Sequence, residues 1–281
     1  MKLGIFTDNH SSGLEETIAK RFCENKVDLI VSLGDLIESR DSDSTKDRLE
    51  IFAKTKIPFL AIPGNYEWPW KWNEAIKKLT EMYDNLVDGS KPGVYTFKGQ
   101  DFIHIPGSER NHCGYEVNKE TMKSLSSKLD NIDTTKSILL CHEPHYQYGE
   151  NGTDIAVQAK HRVYNTVKFG RETKAALKDK DYVKVFNHIG NKDIREFVDR
   201  NNLVFVFSGH IHEGFSAVNK NGELIDEEKY SPSLYLNPGP AKNGIFAIVD
   251  IDNKGNEEKM QIKYKRELLL GKTFYGDLKK N

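Results

Sequence analysis

Seven side chains in five short motifs have the types and spacing to bind metal. "TDNH" carries Asp8 and His10, "LGDL" carries Asp35, "PGNY" carries Asn65, "CHEP" carries His142 and "SGHIH" carries His210 and His212. Asp and Asn offer hard oxygen ligands, and His offers borderline nitrogen. The set contains no Cys, which argues against a structural zinc knuckle. Seven ligands exceed what one first-row ion with an open position accepts, so they suit two ions sharing a bridge. A carboxylate bridges two cations well. Asp35 is the natural bridge because it lies between the two ligand sets in chain order. Paired ions about 3.5–4 Å apart lower the pKa of bound water and clamp the attacking and leaving oxygens of a displacement. Each motif alone is weak: Asp-x-His after a strand is usually a turn with a surface His, and Gly-Asp is often only a turn. The weight comes from all five together, each at the end of an apolar run.

Those runs are the elements that must position the ligands. "LGIF" (3–6), "LIVSL" (29–33), "FLAI" (59–62), "SILLC" (137–141) and "LVFVF" (203–207) are apolar on both faces, as strands between covering layers are. In open α/β sheets the carboxyl ends of such strands line one crevice, where ligands bind. Helical patterns separate several of the strands. "SGLEETIAKRFCEN" reads as a capping box, Ser12 with Glu15, ahead of Leu14, Ile18 and Phe22. "STKDRLEIFAKT" aligns Leu49, Phe52 and Ala53, and "NKDIREFVDRN" offers Asn191 as cap for Ile194, Phe197 and Val198. Strand–helix–strand alternation implies parallel pairing and an α/β fold. Residues 94–105 read as a hairpin, and the late strands "SLYLNPGP", "GIFAIVDID" and "KMQIKYK" have no helix between them, so the sheet is expected to be mixed.

Composition narrows the class. The 281 residues are 37% hydrophobic and 30% charged, with a net charge of −1. That balance argues against general attraction to nucleic acid or membrane. Cys23, Cys113 and Cys141 form no C-x-x-C pair and suggest no disulfide framework. The first residues hold too short an apolar run for a signal peptide, and no stretch approaches a membrane span. A reducing, cytoplasmic setting is the expectation. Between Lys160 and Lys184, eight Lys or Arg face three Asp or Glu, a local excess of +5. This basic segment, within an expected insertion or flap at 145–190, reads as a solvated excursion or as a flap that steers anionic substrate. Residues 267–281 read as a loosely held tail of a single domain spanning 1–281.

The constellation resembles the calcineurin-like metallophosphoesterase superfamily, whose pattern runs D-x-H, G-D, G-N-H-D/E, H and G-H-x-H. The chain offers "DNH", "GD", "GNYE", "CHEP" and "GHIH" in that order, from residue 1 to about 250. The stretches "NHIGNKDIREFVDRNNLVFVFSGHIHE" and "LNPGPAKNGIFAIVDID" look like the compact prokaryotic and archaeal members. The resemblance implies a two-sheet sandwich flanked by helices in four layers, αββα, with the site at one end. It implies one ion at Asp8, His10, Asp35 and His212 and a second at Asp35, Asn65, His142 and His210. Mn²⁺ is favoured, with Fe, Zn²⁺ or Ni²⁺ as the other candidates. Metal-bound hydroxide would attack phosphorus in a small phosphorylated substrate, more readily a diester than a monoester.

One position departs from the pattern. The family places His after the Asn, where it contacts phosphate and helps to protonate the leaving oxygen; this chain has Tyr66. A neutral-pH proton donor works best with a pKa near 7, whereas tyrosine sits near 10. Tyr66 can donate a hydrogen bond but cannot become a cation. Glu67 is expected to cap or orient the turn. His112 and His145 lie in loops and could substitute, although surface histidine is the plainer reading. Tyr66 also leaves a catalytically weak scaffold of the same fold as an alternative. A metal-dependent nuclease is another, and the basic segment is the one feature in its favour.

Overall fold

The structure is a computed structural model, and residues 1–37, 43–109, 114–161, 167–168, 182–252 and 260–269 are described. Two six-stranded sheets face one another. The first has the order β15-β14-β1-β2-β3-β4 and the second β12-β13-β11-β7-β6-β5. In the first, β1 (Lys2–Phe6), β2 (Leu29–Ser32), β3 (Phe59–Ala61) and β4 (Leu86–Asp88) run parallel. β14 (Ile245–Asp252) joins β1 antiparallel, and β15 (Gln261–Leu268) extends that edge. In the second sheet, β6 (Gln100–Ile105), β7 (Ile138–Cys141), β11 (Phe205–Phe207) and β13 (Leu234–Leu236) are parallel. β5 (Gly93–Phe97) and β12 (Ala217–Val218) close its edges antiparallel.

The two-sided apolarity of the strands now has its cause. Leu3, Ile5, Leu29 and Val31 pack inward against Phe102, Ile138, Leu140 and Phe207 of the facing sheet. The alternate residues Phe6, Ile30, Phe59 and Ala61 face outward onto α1 (Glu15–Glu24), α2 (Asp43–Ala53) and α3 (Pro69–Thr80) through Ile18, Phe22, Phe52, Trp72 and Leu79. On the far side, Ile103, Leu139 and Val206 meet α4 (Lys119–Ser126) and α5 (Lys192–Arg200) through Met122, Leu125, Ile194 and Phe197. The result is the four-layer αββα sandwich, with period-2 burial on every inner strand.

Local chemistry agrees with the pattern at one of the two expected helix caps. Asn191 Oδ1 accepts from Ile194 N at 3.0 Å and caps α5 as expected. The capping box at Ser12 does not form. The cap position is Leu14, and Glu15 is buried, accepting from Asn9 Nδ2 at 2.5 Å and pairing with Arg48 at 3.0 Å. Tertiary partners hold the carboxylate that a capping box would have used. β15 continues to Leu268, so residues 267 and 268 belong to a strand, not to a tail; positions 270–281 lie outside the described residues. Within 145–190, β8 (Ile155–His161), β9 (Val167–Lys168) and β10 (Tyr182–His188) form a separate three-stranded sheet. Most of the basic segment between 160 and 184 lies outside the described residues. No helix among the described residues is long and apolar enough to cross a membrane.

Candidate metal centre

All five motifs stand just past the carboxyl ends of β1, β2, β3, β7 and β11. Their side chains gather into two groups: Asp8 with His10 and His212, and Asp35 with His142 and His210, the ligand atoms in each lying within 4.8 Å of one another. Asn65 joins the second group, its Oδ1 2.8 Å from His142 Nε2. Asp8, His10, Asp35, Asn65 and His142 are buried and His210 is partly buried, while the His212 side chain is 29% exposed at the mouth.

The backbone is bent to make this possible. Asp8 (φ 53°), His10 (φ 48°), Asp35 (φ 54°) and His210 (φ 65°) all occupy the left-handed region. Each such residue costs on the order of 1–3 kcal/mol, and such strain concentrates at functional sites. Gly34 (φ 100°) and Gly64 let two turns touch. A Cβ on Gly34 would come within 2.6 Å of Gly64 Cα, and one on Gly64 would strike the Asp35 carboxylate. The Pro-Gly turn therefore aims Asn65 at the cluster because no side chain keeps the two turns apart.

Glu67 ties those turns together. Its Oε2 accepts from Gly64 N (2.6 Å) and Asp35 N (3.1 Å), and its Oε1 from Leu36 N (2.7 Å) and Ile37 N (3.4 Å). Burial first, then the Asp35 charge, pushes this carboxyl up to about 7, against the pull of the backbone donors. The orienting role expected of Glu67 is therefore wider than one turn, since it locks "LGDL" to "PGNY". Asn237, which the sequence did not single out, braces the last motif by donating to Gly209 O and Ile211 O at 3.4 and 3.0 Å.

The donor atoms themselves fit cations. Asp8 Oδ2 is held by Thr7 Oγ1 (2.8 Å) and His210 N (2.9 Å), whereas Asp8 Oδ1 is buried with no hydrogen-bond partner. That bare oxygen points at His212 Nε2, 3.3 Å away. His142 Nδ1 donates to Leu33 O at 2.7 Å, which leaves Nε2 as the lone-pair nitrogen of the neutral ring. Around Nε2 stand Asn65 Oδ1 at 2.8 Å, His210 Nδ1 at 3.2 Å and Asp35 Oδ2 at 3.4 Å. Acceptor atoms converging in a buried space call for shared positive charge, from a cation or, in its absence, from a proton on His142. Burial opposes charge on His142, but Asp35 and Asp8 outweigh it and push the ring up to about 10. Burial drives His210 down to about 4, with the His142 charge beside it. Asp8 stays ionised despite burial because His212, His142 and His10 surround it. These donors suit divalent ions bound through mixed oxygen and nitrogen.

Tyr66 stands at the mouth of the first group. Its ring meets His10 edge-on at 5.2 Å, and its N–H donates to Asp35 Oδ1 at 3.0 Å. His112 lies outside the described residues. His145 is fully buried, which corrects the reading of a surface histidine. Neither ring nitrogen has a hydrogen-bond partner, and the ring meets Tyr235 at 4.5 Å and 83°. It is a core residue and no proton donor at the site.

Burial, with the Arg195 charge second, pushes His145 down to about 3. An unfolded histidine titrates near 6.5, so the unfolded chain takes up the proton first as pH falls. Stability from this group is complete above about 6.5 and is lost on acidification, by roughly 2 kcal/mol at pH 5. In chelator, His145→Leu should therefore lose less melting temperature between pH 7 and pH 5 than the unmutated protein. Equal losses would contradict the assignment.

A family model for calcineurin-like phosphoesterases matches residues 1–214, most of the chain. The chain belongs to the calcineurin-like phosphoesterase family. No curated protein sequence matches it. Among solved structures it is similar to TT1561 of Thermus thermophilus, at 12% identity and a TM-score of 0.60, over 89% of this chain and 93% of that one. A dimetal phosphatase from Danio rerio is a looser likeness, at 11% identity and a TM-score of 0.47, over 89% and 92% of the two chains. The phosphopantetheinyl hydrolase PptH of Mycobacterium tuberculosis stands at 13% identity and a TM-score of 0.46, over 86% and 90%. At such identities the likeness to TT1561 speaks to the fold alone. Membership of the calcineurin-like phosphoesterases supports metal-dependent hydrolysis of phosphoesters, and the two clusters supply the donors for divalent ions.

Proposed function

We propose that this protein is a binuclear metal-dependent phosphohydrolase that favours phosphodiesters. Asp8, His10, Asp35 and His212 would hold one ion; Asp35, Asn65, His142 and His210 would hold the other. The observation that carries this reading is the pairing of a bare, buried Asp8 oxygen with a second knot of oxygen and nitrogen atoms around His142. Bound divalent ions supply a nucleophile at neutral pH and neutralise charge on phosphorus. The chain's own residues do the rest. Glu67 fixes the two turns, Leu33 O sets the His142 tautomer, and the left-handed backbone at Asp8, His10 and Asp35 aims the carboxylates and imidazole. Mn²⁺ is the expected ion from the family resemblance, and the mixed set of three oxygen and four imidazole donors also accepts Fe, Zn²⁺ or Ni²⁺. A reducing, cytoplasmic setting suits the free thiols of Cys23 and Cys141. The expected substrate is a small phosphorylated molecule.

The diester preference rests on Tyr66. A monoester dianion needs more positive charge and, for alkyl leaving groups, a delivered proton. Tyr66, whose ring meets that of His10, brings no cation to the site. Bis-aryl phosphates should therefore turn over faster than mono-aryl phosphates on Mn²⁺-reconstituted protein. Faster monoester turnover would reject the preference, and no bound metal with no turnover would favour a scaffold. Tyr66→His should accelerate alkyl esters more than aryl esters, by about 10-fold or more, without changing metal content. Equal slopes of kcat/KM against leaving-group pKa in the two proteins would mean that Tyr66 does not occupy the acid's place.

A further inference from the structure

A cavity of about 100 Å³ lies apart from the two clusters, where the loop after "CHEP" meets α5 and the turn at 219–222. Two of its eight lining residues, Arg195 and Lys220, are cations, and none is acidic. Gln147, Tyr148 and Asn221 add polar groups to the wall. Such a lining repels a cation, and an apolar guest would leave its charges without a partner, so the cavity suits an anion.

The walls are set before any guest arrives. In the turn, Asn219 Oδ1 accepts from Asn221 N (2.9 Å) and Glu223 N (3.1 Å), and Gly222 N donates to Asn219 O (3.0 Å) with Gly222 at a φ of 80°. Lys220 N donates to Ser233 Oγ at 2.7 Å, and Asn151 Nδ2 fastens the turn to the loop by donating to Gly222 O at 3.3 Å. The backbone donors of the turn are thus taken, and what it presents is side chains. Lys220 Nζ and the Asn221 amide have no partner among the described residues. Arg195 comes from the other side, with 23% of its side chain exposed. Its Nε donates to Asp199 Oδ2 at 2.7 Å, and its guanidinium lies over the Tyr148 ring, 5.4 Å from the centroid. These contacts orient the group and use one of the five N–H bonds a guanidinium carries. Nη1 and Nη2 have no partner among the described residues, and they form the fork that takes two oxygens of a carboxylate or phosphate. The nearby carboxylates are held outside the lining: Asp199 by Arg195 Nε, and Glu223 by Asn219 Nδ2 at 2.6 Å.

We propose that this cavity binds a small oxyanion, a phosphate or carboxylate group, between the Arg195 fork and Lys220. The guest is either a free ion or a second anionic group of a phosphorylated substrate. None of the seven candidate metal ligands lines the cavity, so the inference is independent of the metal reading. The cavity nevertheless adjoins the last motif. Gln147 Nε2 donates to Thr153 Oγ1 at 2.6 Å, and Thr153 O accepts at 3.4 Å from Asn237 Nδ2, the group that braces Gly209 and Ile211.

The test titrates the full chain with inorganic phosphate, and in parallel with acetate, by calorimetry, once loaded with Mn²⁺ and once freed of metal by dialysis. The cavity should take one anion in either form. Lys220→Glu reverses an exposed charge and should weaken that binding about 10-fold or more, whereas Lys220→Arg should stay within roughly 3-fold of the unmutated protein. Arg195→Lys keeps the charge and loses the fork, and should also weaken binding by about 10-fold. Unchanged affinity in Lys220→Glu and Arg195→Lys, or no binding of either anion to the metal-free chain, would overturn the site and leave the metal reading standing. Equal loss in the Glu and Arg variants of Lys220 would assign that residue to the turn and overturn the contact. Turnover by the Mn²⁺-loaded protein separates the two sources. A loss of kcat/KM in Lys220→Glu that is larger for a bis-aryl phosphate bearing an extra carboxylate than for the plain ester assigns the oxyanion to the substrate, and equal kcat/KM ratios assign it to a free ion.

Discussion

Asp35→Asn is expected to lower kcat by at least about 10³-fold and to release metal, while leaving the fold intact. Asp35 is 2% exposed and takes a left-handed φ of 54°, which Asn tolerates as well as Asp does. The substitution therefore changes charge and donor pattern without changing shape. Oδ1 accepts from Tyr66 N at 3.0 Å, and Oδ2 faces His142 Nε2 at 3.4 Å. An amide would keep its oxygen on the Tyr66 N–H and turn its NH₂ toward His142. The NH₂ has no lone pair for a cation, and an amide oxygen cannot balance two positive ions as a carboxylate does. Metal content by mass spectrometry, turnover of a bis-aryl phosphate and circular dichroism together check this. Full turnover with two ions in Asp35→Asn would refute the bridging role.

Glu67→Gln should be the most damaging change that touches no ligand. Both carboxylate oxygens are used, each accepting from two backbone N–H groups on the "LGDL" and "PGNY" turns. Glutamine replaces one acceptor oxygen by an NH₂ that points hydrogens at two buried N–H donors. Leaving two buried N–H donors without an acceptor costs about 3–5 kcal/mol in all. For a domain of this size that is on the order of 5–9 °C in melting temperature. Activity should fall as well, because Asp35 and Asn65 stand on the two turns that come apart. Melting in chelator separates the structural loss from loss of metal. An unchanged melting temperature and kcat would show that the four hydrogen bonds contribute little.

The candidate site was legible in the sequence because each candidate ligand follows an apolar run, and strands between two covering layers must be apolar on both faces. "ILLC" is the clearest instance: Ile138 and Leu140 face the other sheet, and Leu139 and Cys141 face the helices. Other features depend on contacts that no local pattern encodes. Glu15 sits three residues after Ser12 as a capping box requires, yet Asn9 and Arg48 hold it. His145 resembles a loop histidine in sequence and becomes core because β13 brings Tyr235 against it. Lys242 is separated from His212 by thirty residues, and only a turn, Ala241–Asn243, bolted onto Thr7 and Asp8 joins them. Two helices carry local signals beyond the apolar pattern. Pro69 begins α3, with Trp72, Ala75, Ile76 and Leu79 as its buried stripe, and Asn118 caps α4 by accepting from Glu120 N and Thr121 N.

The proposed centre requires a pair of ions held close together, and Mn²⁺ reports on that directly. Metal-stripped protein titrated with Mn²⁺ should bind two ions per chain. At a spacing of about 3.5–4 Å the two should give an exchange-coupled electron paramagnetic resonance spectrum. Hydrolysis of a bis-aryl phosphate should rise with the coupled signal and not with the first ion bound. A single bound ion, or two ions with uncoupled spectra and no dependence of turnover on the second, would contradict a binuclear centre.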